Sequence, residues 1–110
     1  MKVLFLPEVM NYFLELADAL YEKEYFGFED TAVEYAEELF DEINQNLPSK
    51  LKKNAPRYFD RYGKDMWYAV FRRNKNTSWY VFFNIYRHAG ETVYFVRYIG
   101  NNHTVARLIK

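Results

Sequence analysis

The side chains that could carry out chemistry lie in the second half of this sequence. Arg72 and Arg97 carry guanidinium groups, which bind a phosphate through two parallel hydrogen bonds. His103 follows them, and an imidazole exchanges protons near neutral pH. Tyr98 could stack on a nucleic-acid base or donate a proton. Together they supply a base, cations and an acid, the groups that metal-free cleavage of an RNA phosphodiester requires.

Further basic residues precede this group, in a connector that spans positions 48–63. Pro48 and Pro56 interrupt the connector, so one long helix is unfavourable there. A basic loop of this kind suits contact with a nucleic-acid backbone. With those of the following strands, the residues predicted to bind RNA are Lys52, Lys53, Arg57, Arg61, Arg73 and Tyr98.

Each of these residues also has a plainer interpretation. A single His after a strand, such as His103, is commonly a surface turn residue. Arg97 could simply pair with a helix carboxylate such as Glu38, and Lys52 and Lys53 could belong to a solvated loop. The tyrosines could be core residues or a dimer surface, so a homodimer stays open as an arrangement.

Other kinds of catalytic site find little support. Ser49 and Ser78 are the only serines, and neither lies in the strand–turn–helix context of a hydrolase nucleophile. Cysteine is absent, and His88 and His103 lack the spacing of metal ligands. The four glycines are isolated, so there is no loop that could cradle a phosphate. We therefore predict no metal and no cofactor.

Charge divides the chain into two halves. Residues 1–49 contain 12 acidic and 2 basic residues, whereas residues 50–110 contain 13 basic and 3 acidic ones. This asymmetry predicts a basic face for an anionic partner. The two halves could also neutralise each other in the fold, and both interpretations can hold for different residues.

The elements that must position these residues begin with a short strand and two helices. Residues 2–6 are predicted to form the strand. Apolar residues at helical spacing from position 9 to position 20 predict the first helix, with Gly27 as its C-terminal cap. A capping box that begins at Thr31, with Asp30 as a competing cap, predicts the start of the second helix, and Pro48 its end.

Strands are predicted for the rest of the chain. Residues 66–73, 77–87 and 92–99 are rich in aromatic and β-branched side chains and are separated by short polar turns, which predicts antiparallel hairpins. Residues 105–109 are predicted to add a short last strand. In the middle strand, alternation predicts a core face with Trp79, Val81, Phe83 and Ile85. It also predicts a partly open binding face with Tyr80, Phe82, Asn84 and Tyr86.

Length and composition predict one α+β domain that spans residues 1–110. Half of the residues are hydrophobic, which is enough to build a core, and the order of elements places the helices on one face of the sheet. The apolar run at the N-terminus is short and is broken by Pro7 and Glu8, unlike a secretion signal. No run reaches the roughly 18–20 apolar residues of a membrane span. We therefore expect a cytoplasmic location and no membrane partner.

The strand, the two helices and the C-terminal antiparallel meander resemble the RelE/ParE superfamily, the toxins of bacterial type II toxin–antitoxin systems. The basic second half adds to the resemblance, because it ends in the apolar run, glycine and His-containing segment YFVRYIGNNH at residues 94–103. The resemblance covers essentially the whole chain and depends mostly on the order and length of the elements.

The resemblance implies two activities. One branch of the family cleaves messenger RNA, generally on the ribosome, and the other inhibits DNA gyrase. Both are held inactive by a cognate antitoxin that wraps around the toxin. In the RNA-cleaving branch, metal-independent catalysis would fall to His103, Arg97 and Arg72 in this sequence.

The sequence departs from the RNA-cleaving pattern at two places. Trp79 and Tyr80 stand about where a catalytic arginine of the third strand is expected. Tyr68 and Val70 stand in place of a lysine pair in the second strand. Three functions therefore stay open: a RelE-like endoribonuclease, a ParE-like gyrase inhibitor, and a non-enzymatic protein-interaction module on the same fold.

Overall fold

A computed structural model describes residues 1–22 and 29–109 of the chain. The fold is α+β, as predicted. Its strands and helices are β1 (Lys2–Phe5), α1 (Pro7–Glu22), α2 (Glu29–Asn46), β2 (Lys53–Asn54), β3 (Trp67–Asn74), β4 (Thr77–His88), β5 (Glu91–Asn101) and α3 (Asn102–Val105). Short 3-10 helices cover Leu47–Ser49, Arg57–Arg61 and Ala106–Leu108.

The strands form one mixed sheet of five, in the order β1-β5-β4-β3-β2. The predicted antiparallel meander is confirmed as β3, β4 and β5. The sequence did not reveal that β1 pairs in parallel with β5, or that the two residues of β2 pair with β3. The pairing of β1 extends only from Val93 to Val96, and the amide of Leu6 donates to the carbonyl of Val96 at 2.9 Å. Beyond Val96, β5 has a strand neighbour on one side only within the described chain.

The main core lies between the two long helices and one face of the sheet. Phe13 and Leu16 of α1 and Leu39 and Ile43 of α2 belong to the same buried cluster as Trp79, as the helical periodicity predicted. Trp79 is 2% exposed, and its indole Nε1 donates to the hydroxyl of Tyr35 at 2.9 Å. Removing a large buried ring of this kind costs about 3–5 kcal/mol, so this core carries much of the stability.

A second, smaller core covers the opposite face of the sheet. Its buried members are Phe59, Met66, Tyr68, Phe82 and Val105, supplied by the segment after β2, the middle strands and the C-terminal turns. The ring of Phe59 stacks on that of Phe82 at 4.2 Å. The predicted open face is therefore covered where Phe82 lies, and only Tyr86 of the four predicted residues is exposed.

Two sequence predictions about element ends are wrong. Residues 105–109 are not a strand, because the side chain of Asn101 accepts from the amides of His103 and Thr104 and starts α3 there. Thr31 does not start the second helix but lies inside it, since α2 begins at Glu29. The predicted cap at Gly27 lies outside the described residues. None of the described helices has the length and hydropathy needed to cross a membrane.

Candidate functional site

A groove of about 860 Å³ opens where β1 stops covering β5. Residues 97–101 of β5 form its floor, α1 forms one wall, and the segment at 61–62 forms the other. Because β1 ends after four residues, this stretch of β5 is left open to the groove. The lining residues include Glu8, Tyr12, Glu15, Arg61, Tyr62, Trp79, Arg97, Tyr98 and Thr104.

A β-bulge in β5 brings two polar side chains to the groove. Phe82 pairs with Tyr98 but Phe83 pairs with Val96, so Arg97 is an extra residue without its own partner in β4. A bulge bends the strand and redirects side chains. Val96 is therefore in the main core, whereas Arg97 and Tyr98 both reach residues of the other face of the sheet.

Arg97 is held by contacts on several sides. Its Nε donates to Oδ1 of Asn84 at 2.6 Å, and one terminal nitrogen donates to the hydroxyl of Tyr86 at 3.0 Å. Asn84 is itself oriented by donating from Nδ2 to the carbonyl of Lys64 at 3.0 Å. The stem of Arg97 lies over Gly63, where an added Cβ would be only 2.5 Å from Cδ. These contacts fix the guanidinium before any ligand arrives.

Arg61 lines the same groove from the 3-10 helix Arg57–Arg61. Its Nε donates to the carbonyl of Tyr58 at 3.0 Å, and its guanidinium lies 3.9 Å from the centre of the Tyr58 ring. Beside it, the ring of Tyr62 stacks on that of Tyr98 at 4.0 Å and 11°. Neither Arg61 nor Arg97 forms an ion pair with a carboxylate of the described residues.

The wall formed by α1 is acidic and was missed from the sequence. Glu8, Tyr12 and Glu15 recur at four and three residues, which places them on one side of the helix. Helical periodicity alone assigns such glutamates to a solvated face, and both carboxylates are indeed exposed. Only the position of β5 and the 61–62 segment shows that this side of α1 faces two arginines across a groove.

Two tyrosines of the groove hold their protons unusually strongly. Burial, followed by the neighbouring Tyr35, raises the pKa of Tyr12 to about 12. Burial also raises the pKa of Tyr98 to about 12, with further contributions from the charge and hydrogen bond of Tyr62. The raised pKa keeps both hydroxyls protonated into the alkaline range, and a protonated hydroxyl can donate a hydrogen bond to an anion.

The structure brings only some of the predicted residues together. Arg97, Arg61 and Tyr98 meet in the groove. His103 is exposed in the first turn of α3 and is not part of the lining, although its neighbour Thr104 is. Arg72 lies on β3 opposite Ser78, with Nε donating to the carbonyl of Asn74 at 3.2 Å, so the three predicted catalytic residues do not form one cluster.

The other predicted RNA-binding residues lie outside the groove. Arg73 is 17% exposed and donates to Glu42 at 2.9 Å and to Glu38 at 3.2 Å, so it neutralises helix carboxylates. Glu38 therefore pairs with Arg73 and not with Arg97. Lys52 lies 4.9 Å from the centre of the Trp67 ring. Two more predicted residues are exposed near the start of the second half, Lys53 in β2 and Arg57 in the following 3-10 helix.

No protein-family model, no curated protein and no solved structure matches the chain. Among the described residues, no group of three or more His, Asp or Glu side chains is placed to hold a metal ion.

Proposed function

We propose that the protein binds single-stranded RNA in the groove beside the end of β5 and is a RelE-like toxin of a type II toxin–antitoxin system. The observation that carries the proposal is the convergence of Arg61 and Arg97, from separate segments, on one groove without a carboxylate partner in the described chain. Proteins that bind single strands combine cations for the backbone with aromatic rings for the bases. Tyr62 and Tyr98 supply those rings beside the two arginines.

The groove also contains the groups for cleavage of a phosphodiester. Arg97 is already oriented, so it loses little conformational freedom on binding a phosphate, and with Arg61 it stabilises the charge of a phosphorane. Glu8 or Glu15, on the facing wall, serves as the base that activates the 2′-hydroxyl. The neutral hydroxyl of Tyr98 donates to a phosphate oxygen or to the leaving group. His103, one residue from the lining, is a further candidate for proton transfer.

Binding is tested by fluorescence anisotropy with a labelled single-stranded RNA at low and high salt. The expected result is salt-sensitive binding that falls about ten-fold in Arg97→Ala and in Arg61→Ala, because each loses a phosphate contact. Arg87→Ala is the matched control: Arg87 is exposed near the end of β4, where it donates to Thr92 and to the carbonyl of Gly90 outside the groove. Equal losses in all three variants, or no RNA binding by the wild type, would reject the proposal.

Catalysis is tested separately from binding. Glu8→Gln and Glu15→Gln keep the shape of the groove but remove a base, so we expect RNA to bind at least as tightly while cleavage is lost in one of them. Expression of the wild type without an antitoxin should arrest growth, and Arg97→Ala should relieve the arrest. Growth arrest with intact RNA and inhibited supercoiling by gyrase would instead identify the ParE-like activity.

A second candidate is an RNA-binding module without catalysis on the same groove. It is favoured by the positions of His103 and Arg72, which lie outside the lining, and by the burial of Trp79 where the family pattern expects a catalytic arginine. RNA binding that depends on Arg97, without cleavage and without growth arrest, would select this candidate.

A further inference from the structure

A second groove, of about 400 Å³, lies between α1 and α2. Met10, Leu14 and Ala17 of α1 line it, whereas the RNA groove is lined by other residues of α1 such as Glu8 and Tyr12. The two grooves share no lining residue and lie on different sides of α1. A ligand in the second groove would therefore contact none of the residues that line the proposed RNA site.

The second groove is apolar and open. Its floor is formed by the buried residues Phe13, Ala17 and Ala36, and its rim exposes large apolar side chains. Leu14 is 73% exposed, Met10 40% and Val33 38%. Single exposed apolar residues are ordinary on a protein surface, but a contiguous apolar patch that continues into a groove marks an interaction site.

The charge around the groove is of one sign. Glu37 and Asp41 line it directly. The sequences of α1 and α2 contain eleven acidic residues and no Lys, Arg or His. Among the described residues, Arg73 reaches Glu38 and Glu42, and no basic residue pairs with the lining carboxylates, which leaves the described edge of the groove negatively charged.

We infer that this groove is the docking site for a basic amphipathic helix of a partner protein. Apolar side chains at spacings of three, four and seven residues would enter between α1 and α2, as in helix-in-groove recognition. Lys and Arg residues on the flanks of the same helix would meet Glu37 and Asp41. The complementarity is specific, because an acidic helix with the same apolar residues would be repelled.

Within residues 1–22 and 29–109, a second copy of this chain has no such helix. Its long helices α1 and α2 are acidic, and α3 has only four residues. The basic residues that lie in secondary structure are mostly on strands and short 3-10 helices. The occupant is therefore a different protein, and self-association through this face is an outcome that the test must distinguish.

The probe is a synthetic amphipathic peptide with leucines on one helical face and lysines on the other, compared with a glutamate counterpart and with a scrambled lysine peptide of the same composition. Binding is followed by fluorescence anisotropy, and helix formation by circular dichroism. We expect the lysine peptide to bind as a helix, in a salt-sensitive manner, and at least ten-fold more tightly than the other two.

Variants of the full chain locate the binding site. Leu14→Gln should lower the affinity for the lysine peptide about ten-fold, because it removes an apolar contact. The double variant Glu37→Gln with Asp41→Asn should make binding of the lysine peptide less dependent on salt. Leu51→Gln is the control for loss of an exposed apolar residue elsewhere, since Leu51 is 83% exposed outside the groove. Arg97→Ala should bind the peptide as the wild type does, which separates this site from the RNA groove.

Three outcomes would overturn the inference. The glutamate or scrambled peptide could bind as well as the lysine peptide, or Leu14→Gln could bind it with unchanged affinity. Sedimentation could also show that the protein alone forms a dimer that Leu14→Gln disrupts, in which case a second copy covers the groove.

Discussion

Replacing Gly63 by alanine tests whether the exact position of Arg97 matters. An added Cβ would lie 2.5 Å from Cδ of Arg97 and 3.2 Å from its Nε. Ordinary contact begins near 3.4 Å, so the arginine must move by about 0.9 Å. A movement of that size along its bond to Asn84 would lengthen the 2.6 Å separation to about 3.5 Å, beyond a good hydrogen bond. The substitution therefore displaces Arg97 without removing its charge.

The effect on stability should be small and the effect on binding large. Losing a hydrogen bond to a charged group costs about 1.5–3 kcal/mol, less here because the group is partly exposed. Gly63 does not have a positive φ, so alanine recovers about 0.4–1 kcal/mol from the unfolded chain. We expect a net loss of about 1 kcal/mol in urea denaturation. RNA affinity should fall about ten-fold, as in Arg97→Ala.

The matched control is Gly90→Ala. Gly90 has a φ of +79° and nothing within 4 Å of an added Cβ, so alanine there costs backbone strain of about 1 kcal/mol but leaves the groove intact. Gly63→Ala should also have no further effect on RNA binding in the Arg97→Ala background. If Gly63→Ala binds RNA as tightly as the wild type, or if Gly90→Ala lowers the RNA affinity as much as Gly63→Ala does, RNA affinity does not depend on the orientation of Arg97.

Two further predictions concern the cap of α3 and the tyrosines of the groove. Asn101→Ala removes the side chain that accepts from the amides of His103 and Thr104. The free energy of unfolding, measured in urea, should therefore drop by about 1 kcal/mol. The control is Asn44→Ala on the exposed side of α2, which should change it by less than about 0.5 kcal/mol. The raised pKa values of Tyr12 and Tyr98 predict alkaline destabilisation. Tyrosine in the unfolded chain ionises near pH 10, so between about pH 10 and 12 the native state binds more protons than the unfolded state. The stabilisation from these tyrosines is therefore fully present below about pH 10 and is lost as the pH rises towards about 12. In urea denaturation at a series of pH values between about 10 and 12, the free energy of unfolding of Tyr12→Phe should decrease less steeply with pH than that of the wild type. An equally steep decrease in both proteins would contradict the reasoning.

The sequence predicts those parts of the fold that follow from local periodicity. The apolar spacing of α1 and α2 and the aromatic, β-branched runs of β3, β4 and β5 identify these elements, because side-chain direction repeats every 3.6 or 2 residues. The pairing of β1 with β5 depends on contacts across some 90 positions, and no local pattern encodes it. The cap at Asn101 is a local signal that a strand interpretation of residues 105–109 overlooked.

The candidate site was only partly predictable for a related reason. Strict alternation puts Arg97 and Tyr98 on opposite faces of β5, and only the bulge, visible as the shift in register against β4, lets both reach the groove. Gly63 carries only a weak signal, because a glycine permits close approach of another group but also suits a turn such as the one that its amide closes onto Asp60. Glu8 and Glu15 carry no sequence signal of their position, since the spacing of exposed glutamates on a helix is the same whether they face water or a groove.

The charge asymmetry of the chain has two consequences in the fold, not one. Arg73 joins the halves through Glu38 and Glu42, so part of the asymmetry is internal neutralisation. The arginines of the groove beside β5 are instead held by amide, hydroxyl, carbonyl and ring groups, which orient a guanidinium without cancelling its charge. In the second groove, Glu37 and Asp41 form no ion pair within the described part of the chain. In the groove beside β5, Glu8 and Glu15 lie opposite the two arginines, so the proposed preference for RNA depends on the placement of the guanidinium groups and not on net charge. Because the two grooves share no lining residue, the proposed RNA and the proposed helix could occupy them at the same time.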